Sequence, residues 1–473
     1  MKRTSTLSLL LAIAATALLS SSRTRPTVPA QEPTEKPNIL LIITDQQHAG
    51  MLSCAGNPNL STPALDGLAK GGVRFTNAYV TNPVCGPSRI SMFTGRMPGS
   101  FGMFHNAAKP TIPLGARAKS LGRLIKAAGY DTFYGGKADM SAALAPLASG
   151  FDQHFKSSRE TLPKACIRFI ERERTAPFFA VASFINPHDI CFADQARENL
   201  IHDERTPIAE LYRRARKLPL DQLPPLPSNY AIPEGEPSAV GANLGTTTVT
   251  PSRLMRESYG ERDWRMYRWM YCRLTERVDQ HIGEILDALE RNGLEEETLV
   301  VFTSDHGDMD ASHHLPSKAH FYEESAGVPF ILRMTGTLPA GVVNESSLVS
   351  TGLDLLPTLC EFAGVAIPDG LLGRSLRTVA EGGRDTPERA FVVTENHTGR
   401  MLRTSEYKYC LFIEGEERES LFDMKSDRGE LVNLARNSDY ASVLDEHRML
   451  LRGWIEESGD STALKFAIEP DND

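Results

Sequence analysis

The stretch KPNILLIITDQQ, residues Lys36 to Gln47, decides the fold. Asn38 to Thr44 is a continuous apolar and β-branched run without polar alternation, the pattern of a strand buried on both faces. Such a strand belongs in a sheet with helices on both sides, and it delivers Asp45 at its carboxyl end, where open α/β sheets bind ligands. Outward from it the same unit recurs. YDTFYGGK reads as a strand ending in a glycine pair before Lys137; FFAVASFINPHD carries His188 to a strand end; Thr298 to Ser304 places Asp305-His306-Gly307 in the same position. Helices separate these strands. Leu121, Leu124, Ile125 and Ala128 recur at helical spacing before Gly129, and Cys166, Phe169 and Ile170 form a second face closed before Pro177. The clearest helix lies between Trp264 and Asn292, with Tyr267, Tyr271, Leu274, Val278, Ile282, Ile285 and Leu289 on one face; we read its aromatic stripe as core packing. Strands alternating with helices over roughly 330 residues predict a doubly wound, mostly parallel sheet.

A second stretch carries the chemistry: NPVCGPSRISMFTG, Asn82 to Gly95. Taken alone, Cys85 is a thiol in a proline-bounded loop. Pro87 has the fixed φ of a first helical turn, and Arg89 then stands one turn from position 85. Cys85-Gly86-Pro87-Ser88-Arg89, with Pro83-Val84 before it and Met92-Phe93 and Thr94-Gly95 after it, resembles the signature of the type I sulfatases, whose cysteine is oxidised to formylglycine. The resemblance covers about residues 36–370 and implies the alkaline-phosphatase-like α/β fold. Residues 371–473, with MLRTSEYKYCLF and ESLFDMKSDRGELVNLA, look like the family's smaller C-terminal α+β domain. The implied chemistry is covalent: one hydroxyl of the hydrated aldehyde attacks sulfur, and the other remains to expel sulfate and restore the aldehyde. Arg89 fits the fixed positive partner that such a nucleophile needs.

The resemblance also assigns the remaining site. Gly129-Tyr130, Thr132 and Gly136-Lys137 resemble the second sulfatase signature, in which the lysine contacts the sulfate group. The family commonly has a histidine two residues later; this chain has Asp139, a carboxylate able to serve as general base, or simply to pair with Lys137. Asn186-Pro187-His188 resembles the stretch whose histidine faces the ester's leaving oxygen. Lys318, in LPSKAHFYEES, resembles the lysine that binds sulfate and stabilises the leaving group. Asp45, Gln46, Asp305, His306 and an oxygen of modified Cys85 form the implied metal site. Hard oxygen donors suit Ca²⁺, with Mg²⁺ or Mn²⁺ as alternatives. Gln46 replaces the family's usual second aspartate and reduces the charge there.

The whole chain has 473 residues, 41% of them hydrophobic, enough for a large domain with a smaller one attached. Residues 1–30 read as a signal peptide and leader: Lys2 and Arg3 precede an apolar run from Leu7 to Leu19 that is short of the roughly twenty residues a membrane span needs. The expected location is therefore secreted or periplasmic, with no integral membrane anchor. The net charge of −9 includes four cations and no acids in that leader, so the remainder is more acidic still. This argues against nucleic acid as a partner and requires that an anionic substrate be held by local cations. Seven cysteines at this length do not make a disulfide framework. Residues 195–255, polar and proline-rich, read as a long aperiodic insertion that shapes the cleft. The expected substrate is a sulfated polysaccharide or its oligosaccharides. Asp139 in the Lys-x-Asp variant and ENHTGRMLRTSEYKY resemble the uronate 2-sulfatases. The expected maturation partner is a formylglycine-generating enzyme. A phosphonate or phosphate ester hydrolase of the same fold, which shares the Cys-x-Pro-x-Arg stretch, and a catalytically silent binding homologue are the competing readings.

Overall fold

The structure, a computed structural model, describes residues 36–201, 207–243, 252–383 and 389–468. The expected signal peptide and leader lie outside them. The principal sheet has eight strands: β1 (Asn38–Asp45), β2 (Val73–Tyr79), β3 (Asp131–Gly136), β4 (Gln153–Phe155), β5 (Phe178–Pro187), β6 (Thr298–Ser304), β7 (Phe330–Arg333) and β8 (Val342–Ser350). They lie in the order β4-β3-β5-β1-β6-β7-β2-β8. Only β7 runs antiparallel to its neighbours, so the sheet is mostly parallel, as expected.

β1 shows why the apolar run has no alternation. Ile39, Leu41 and Ile43 face one layer, formed by Met92 and Phe93 of the helix Cys85–Thr94 and Leu355, Leu356 and Leu359 of the helix Thr351–Phe362. Leu40 and Ile42 face the other, where Phe169 and Ile170 of Leu162–Ile170 meet Val278, Ile282 and Ile285 of Glu261–Arg291. Each such side chain contributes about 1.5–3 kcal/mol by its burial, and a polar residue on either face would forfeit it.

The described parts of residues 195–255 are not aperiodic. They include the helices Ile208–Ala215 and Ser252–Ser258, and Ile208, Leu211, Ala215, Leu223 and Met255 pack on Trp264, Tyr267, Met270 and Tyr271 of the long helix. The long helix thus has two apolar partners, the sheet along its second half and this segment along its first. The prolines had hidden the short amphipathic pieces between them.

Four further strands, β9 (Phe391–Asn396), β10 (Gly399–Thr404), β11 (Tyr407–Phe412) and β12 (Glu419–Asp423), form an antiparallel sheet. Leu444, Leu451 and Ile455 of the helix Ala441–Ser458 cover one face of it. This sheet is joined to the first part of the chain by buried bonds: Glu395 N–H donates to Thr81 O, and Arg403 Nε to Tyr79 OH. No disulfide joins cysteines among the described residues. Among them, too, no helix is long and apolar enough to cross a membrane.

Candidate active site

Parallel register builds the first pair of ligands. Thr44 of β1 lies opposite Ser304 of β6, so Asp45 and Asp305 leave adjacent strands at the same level, and both are fully buried. Gln46 turns away with φ 68°, and its N–H donates to Asp305 Oδ1 at 3.1 Å.

Cys85 is the first residue of its helix and is buried. Its Sγ lies 3.2 Å from His306 Nε2, 3.1 Å from Lys318 Nζ, 3.6 Å from Lys137 Nζ and 3.8 Å from Asp45 Oδ1. Burial and Asp45 oppose ionisation of this thiol, but Lys137, Lys318 and His306 outweigh them and bring its pKa below the ordinary value. Position 85 is therefore an anion-favouring point inside the protein.

Arg89 reaches the site through the carboxylates. Its Nε donates to Asp305 Oδ2 at 2.8 Å and one terminal nitrogen to Asp45 Oδ2 at 3.1 Å; the other donates to Ser183 Oγ and Lys137 O. The guanidinium so holds both outer carboxylate oxygens. The inner oxygens then converge: Asp45 Oδ1 is 3.9 Å and Asp305 Oδ1 is 3.5 Å from His306 Nε2. The other nitrogen of that ring, Nδ1, donates to Gly307 O at 2.9 Å, which turns Nε2 toward the two carboxylates.

One ligand atom from each of Asp45, Cys85, Asp305 and His306 lies within 4.8 Å of the others. Burial and the Asp45 charge push Asp305 upward, a conflict between two buried carboxylates that a divalent cation would relieve. The donor set therefore fits a metal ion. Gln46 adds a carbonyl oxygen, though Oε1 is already shared by Lys318 Nζ at 2.9 Å and the Cys191 thiol at 3.1 Å.

Three cations or potential cations surround position 85. Lys137 follows Gly136, whose φ of 97° and close approach to β5 exclude a side chain: an added Cβ would lie 1.8 Å from Ser183 O. Lys137 Nζ contacts Asp45 Oδ2 at 2.6 Å and Asp139 Oδ2 at 3.1 Å. Burial disfavours the charge on Lys318, but Cys85, Cys191 and Asp45 keep it protonated above the ordinary range. His188 opens the short helix after β5; burial, Lys318 and Lys137 press its pKa well below the usual value, and its Nδ1 has no hydrogen-bond partner. All ten residues singled out in the sequence thus gather at the carboxyl rim of the sheet, with Asp139 the most exposed.

The sequence reading missed the supports. Tyr271 OH donates to Gln46 O at 2.5 Å, and Tyr267 OH contacts Asp308, which in turn accepts from Gln46 Nε2 at 2.7 Å. The aromatic stripe is core, as expected, but its two hydroxyls also fix the loop that carries Gln46. The available signal was the use of tyrosine rather than phenylalanine at two buried positions one turn apart.

Comparison with known proteins agrees with this geometry. The sulfatase family model matches residues 37–365, and the model of the N-sulphoglucosamine sulphohydrolase C-terminal region matches 311–456. A Δ4,5-hexuronate-2-O-sulfatase of Bacteroides thetaiotaomicron is 31% identical over 93% of this chain and 93% of its own length. An ulvan-active sulfatase of Formosa agariphila is 28% identical, covering 94% of this chain and 86% of that one. A solved 2-O GAG sulfatase superposes with a TM-score of 0.79 at 29% identity, over 93% of this chain and 95% of that one. With most of its length matched by the sulfatase model and shared with these proteins, the chain belongs to the sulfatase family.

Proposed function

We propose that the protein is a secreted sulfatase that removes a 2-O-sulfate from a hexuronate of a sulfated polysaccharide or its oligosaccharides, with Cys85 matured to formylglycine by a formylglycine-generating enzyme. The supporting observation is the setting of position 85: one buried atom faced by Lys137, Lys318, His306 and Asp45. The sugar assignment rests on the 31% identical hexuronate 2-O-sulfatase.

Bound Ca²⁺, held by Asp45, Gln46, Asp305, His306 and position 85, would polarise the sulfate and favour the ionised form of the formylglycine hydrate. The chain's own residues do the rest. Lys137 and Lys318 neutralise the non-bridging sulfate oxygens; at 4 Å and an effective dielectric near 20, each charge pair is worth about 4 kcal/mol. Lys318 and His188 face the ester oxygen. The depressed pKa of His188 keeps its imidazole neutral, so it offers one hydrogen bond there, while the charge that develops on that oxygen is met by Lys318. Arg89 contributes by orienting Asp45 and Asp305. Retention of Cys85, Arg89, Asp45, Asp305 and Lys137 in one constellation argues against a silent binding homologue.

The test is sulfate release from a 2-O-sulfated unsaturated uronate disaccharide, run beside a phosphonate monoester. Cys85→Ser is expected to abolish release and leave the fold intact, and peptide mass analysis of the active enzyme should find residue 85 about 18 Da lighter than cysteine. An active preparation with only unmodified cysteine there overturns the mechanism. Preference for the phosphonate overturns the sulfatase reading, and release only from other sulfated sugars overturns the 2-O assignment alone.

A further inference from the structure

A second group of metal-ligating side chains lies outside the site described above. His313 is fully buried in the loop after β6, and neither ring nitrogen has a hydrogen-bond partner of good geometry; the backbone of Ala231 is the neighbouring polar group. One nitrogen lies within 4.8 Å of carboxylate oxygens of Glu324 and Glu430. Both carboxylates are already oriented from behind. Glu324 Oε1 accepts from Asn229 Nδ2 at 2.8 Å, leaving Oε2 buried without a partner, and Glu430 Oε2 accepts from Glu323 N at 2.7 Å. Such support from behind is the usual outer shell of a metal site; His313 and Glu324 Oε2 are left without a hydrogen bond, while Glu430 Oε1 is shared with Lys408. Buried with neither ring nitrogen hydrogen-bonded, the imidazole of His313 has a nitrogen free to coordinate. Lys408 Nζ contacts Glu430 Oε1 at 2.8 Å and Glu323 Oε1 at 2.6 Å, and Arg403 flanks Glu323. Lys408 Nζ thus bridges Glu430 and Glu323, while Glu324 Oε2 is left without a hydrogen bond.

We propose that His313, Glu324 and Glu430 bind a second divalent ion, of the zinc or manganese class that one imidazole and two carboxylates prefer. The ion ties three parts of the chain: the segment before the long helix, through Asn229, the loop between β6 and β7, and the segment after β12 that carries Glu430. The consequence reaches the active site. The loop holds six non-glycine residues at positive φ, Asp310, Ala311, His313, His314, Ser317 and Ala319, and it carries Lys318 to Gln46 and Cys85. A conformation so disfavoured persists only when its surroundings fix it, and the cation is such a constraint.

The experiment is equilibrium dialysis of the full chain against Zn²⁺ with calcium in excess, comparing wild type with Glu324→Gln and His313→Gln. Glu324→Gln keeps the acceptor for Asn229 and so retains the fold even where His313→Gln fails to. Wild type is expected to hold one equivalent more than Glu324→Gln, whose affinity at this site falls at least ~10-fold, and zinc should raise the Tm of wild type more than that of Glu324→Gln. Equal uptake by wild type and Glu324→Gln, or an equal zinc-dependent change in their Tm, overturns the proposal. The variants leave Asp45, Asp305 and His306 in place, so zinc at that first site cancels in the comparison.

Discussion

Arg89→Lys separates charge from geometry at the centre of the site. The guanidinium makes four hydrogen bonds of 2.7–3.1 Å in a fully buried setting, two of them to different carboxylates. Lysine keeps the positive charge, but a single ammonium cannot span Asp45 Oδ2 and Asp305 Oδ2 while also meeting Ser183 and Lys137 O. We expect two of the four bonds to be lost, one of them to a carboxylate, at a cost of about 3 kcal/mol. In a chain of this size that corresponds to a fall in Tm on the order of 3 °C. Because the freed carboxylate loses its orientation, calcium affinity should fall about 10–100-fold, as for the loss of other groups that position metal ligands. Thermal unfolding with and without calcium, together with calcium titration, measures both. Wild-type Tm and wild-type calcium affinity in Arg89→Lys would refute the view that the guanidinium holds the carboxylates in place.

Other expectations follow from single groups. Asp139→Asn should slow turnover and let the sulfated enzyme accumulate in intact-mass spectra, with calcium binding unchanged; normal turnover without a trapped species would leave Asp139 only its 3.1 Å pairing with Lys137. Burial pushes Glu395 up to about 7, although Arg400 and the Gly99 N–H favour its charged form. Its folded pKa is above the unfolded value, so the stability it contributes is complete below about pH 4.5 and is lost as pH rises toward 7, by up to about 3 kcal/mol. Glu395→Gln should flatten the stability profile in that window, and an unchanged slope would show that this carboxyl does not titrate there.

The sequence alone determined whatever depends on local pattern. The unbroken run Ile39 to Ile43 required a layer on each face, and the structure supplies one on each. The periodicity from Tyr267 to Leu289 gave the long helix its face, and Gly293, at φ 68°, ends it where expected. The strand ends at Asp45, Gly136 and Ser304 were legible because each apolar run stops at a polar or glycine residue. Tertiary structure decided everything that depends on distance between remote residues. Periodicity contains no information on register, so it could not say that Thr44 faces Ser304, nor that Arg89 would turn from position 85 toward two carboxylates 44 and 216 residues away. The choice of tyrosine at 267 and 271 signalled that two hydroxyls need partners, but which partners they find, Asp308 and the Gln46 backbone, only the fold decides. His313, Glu324 and Glu430 come together only where the loop after β6, the turn before β7 and the segment after β12 meet, because folding, and no spacing in the chain, brings them within reach of one ion.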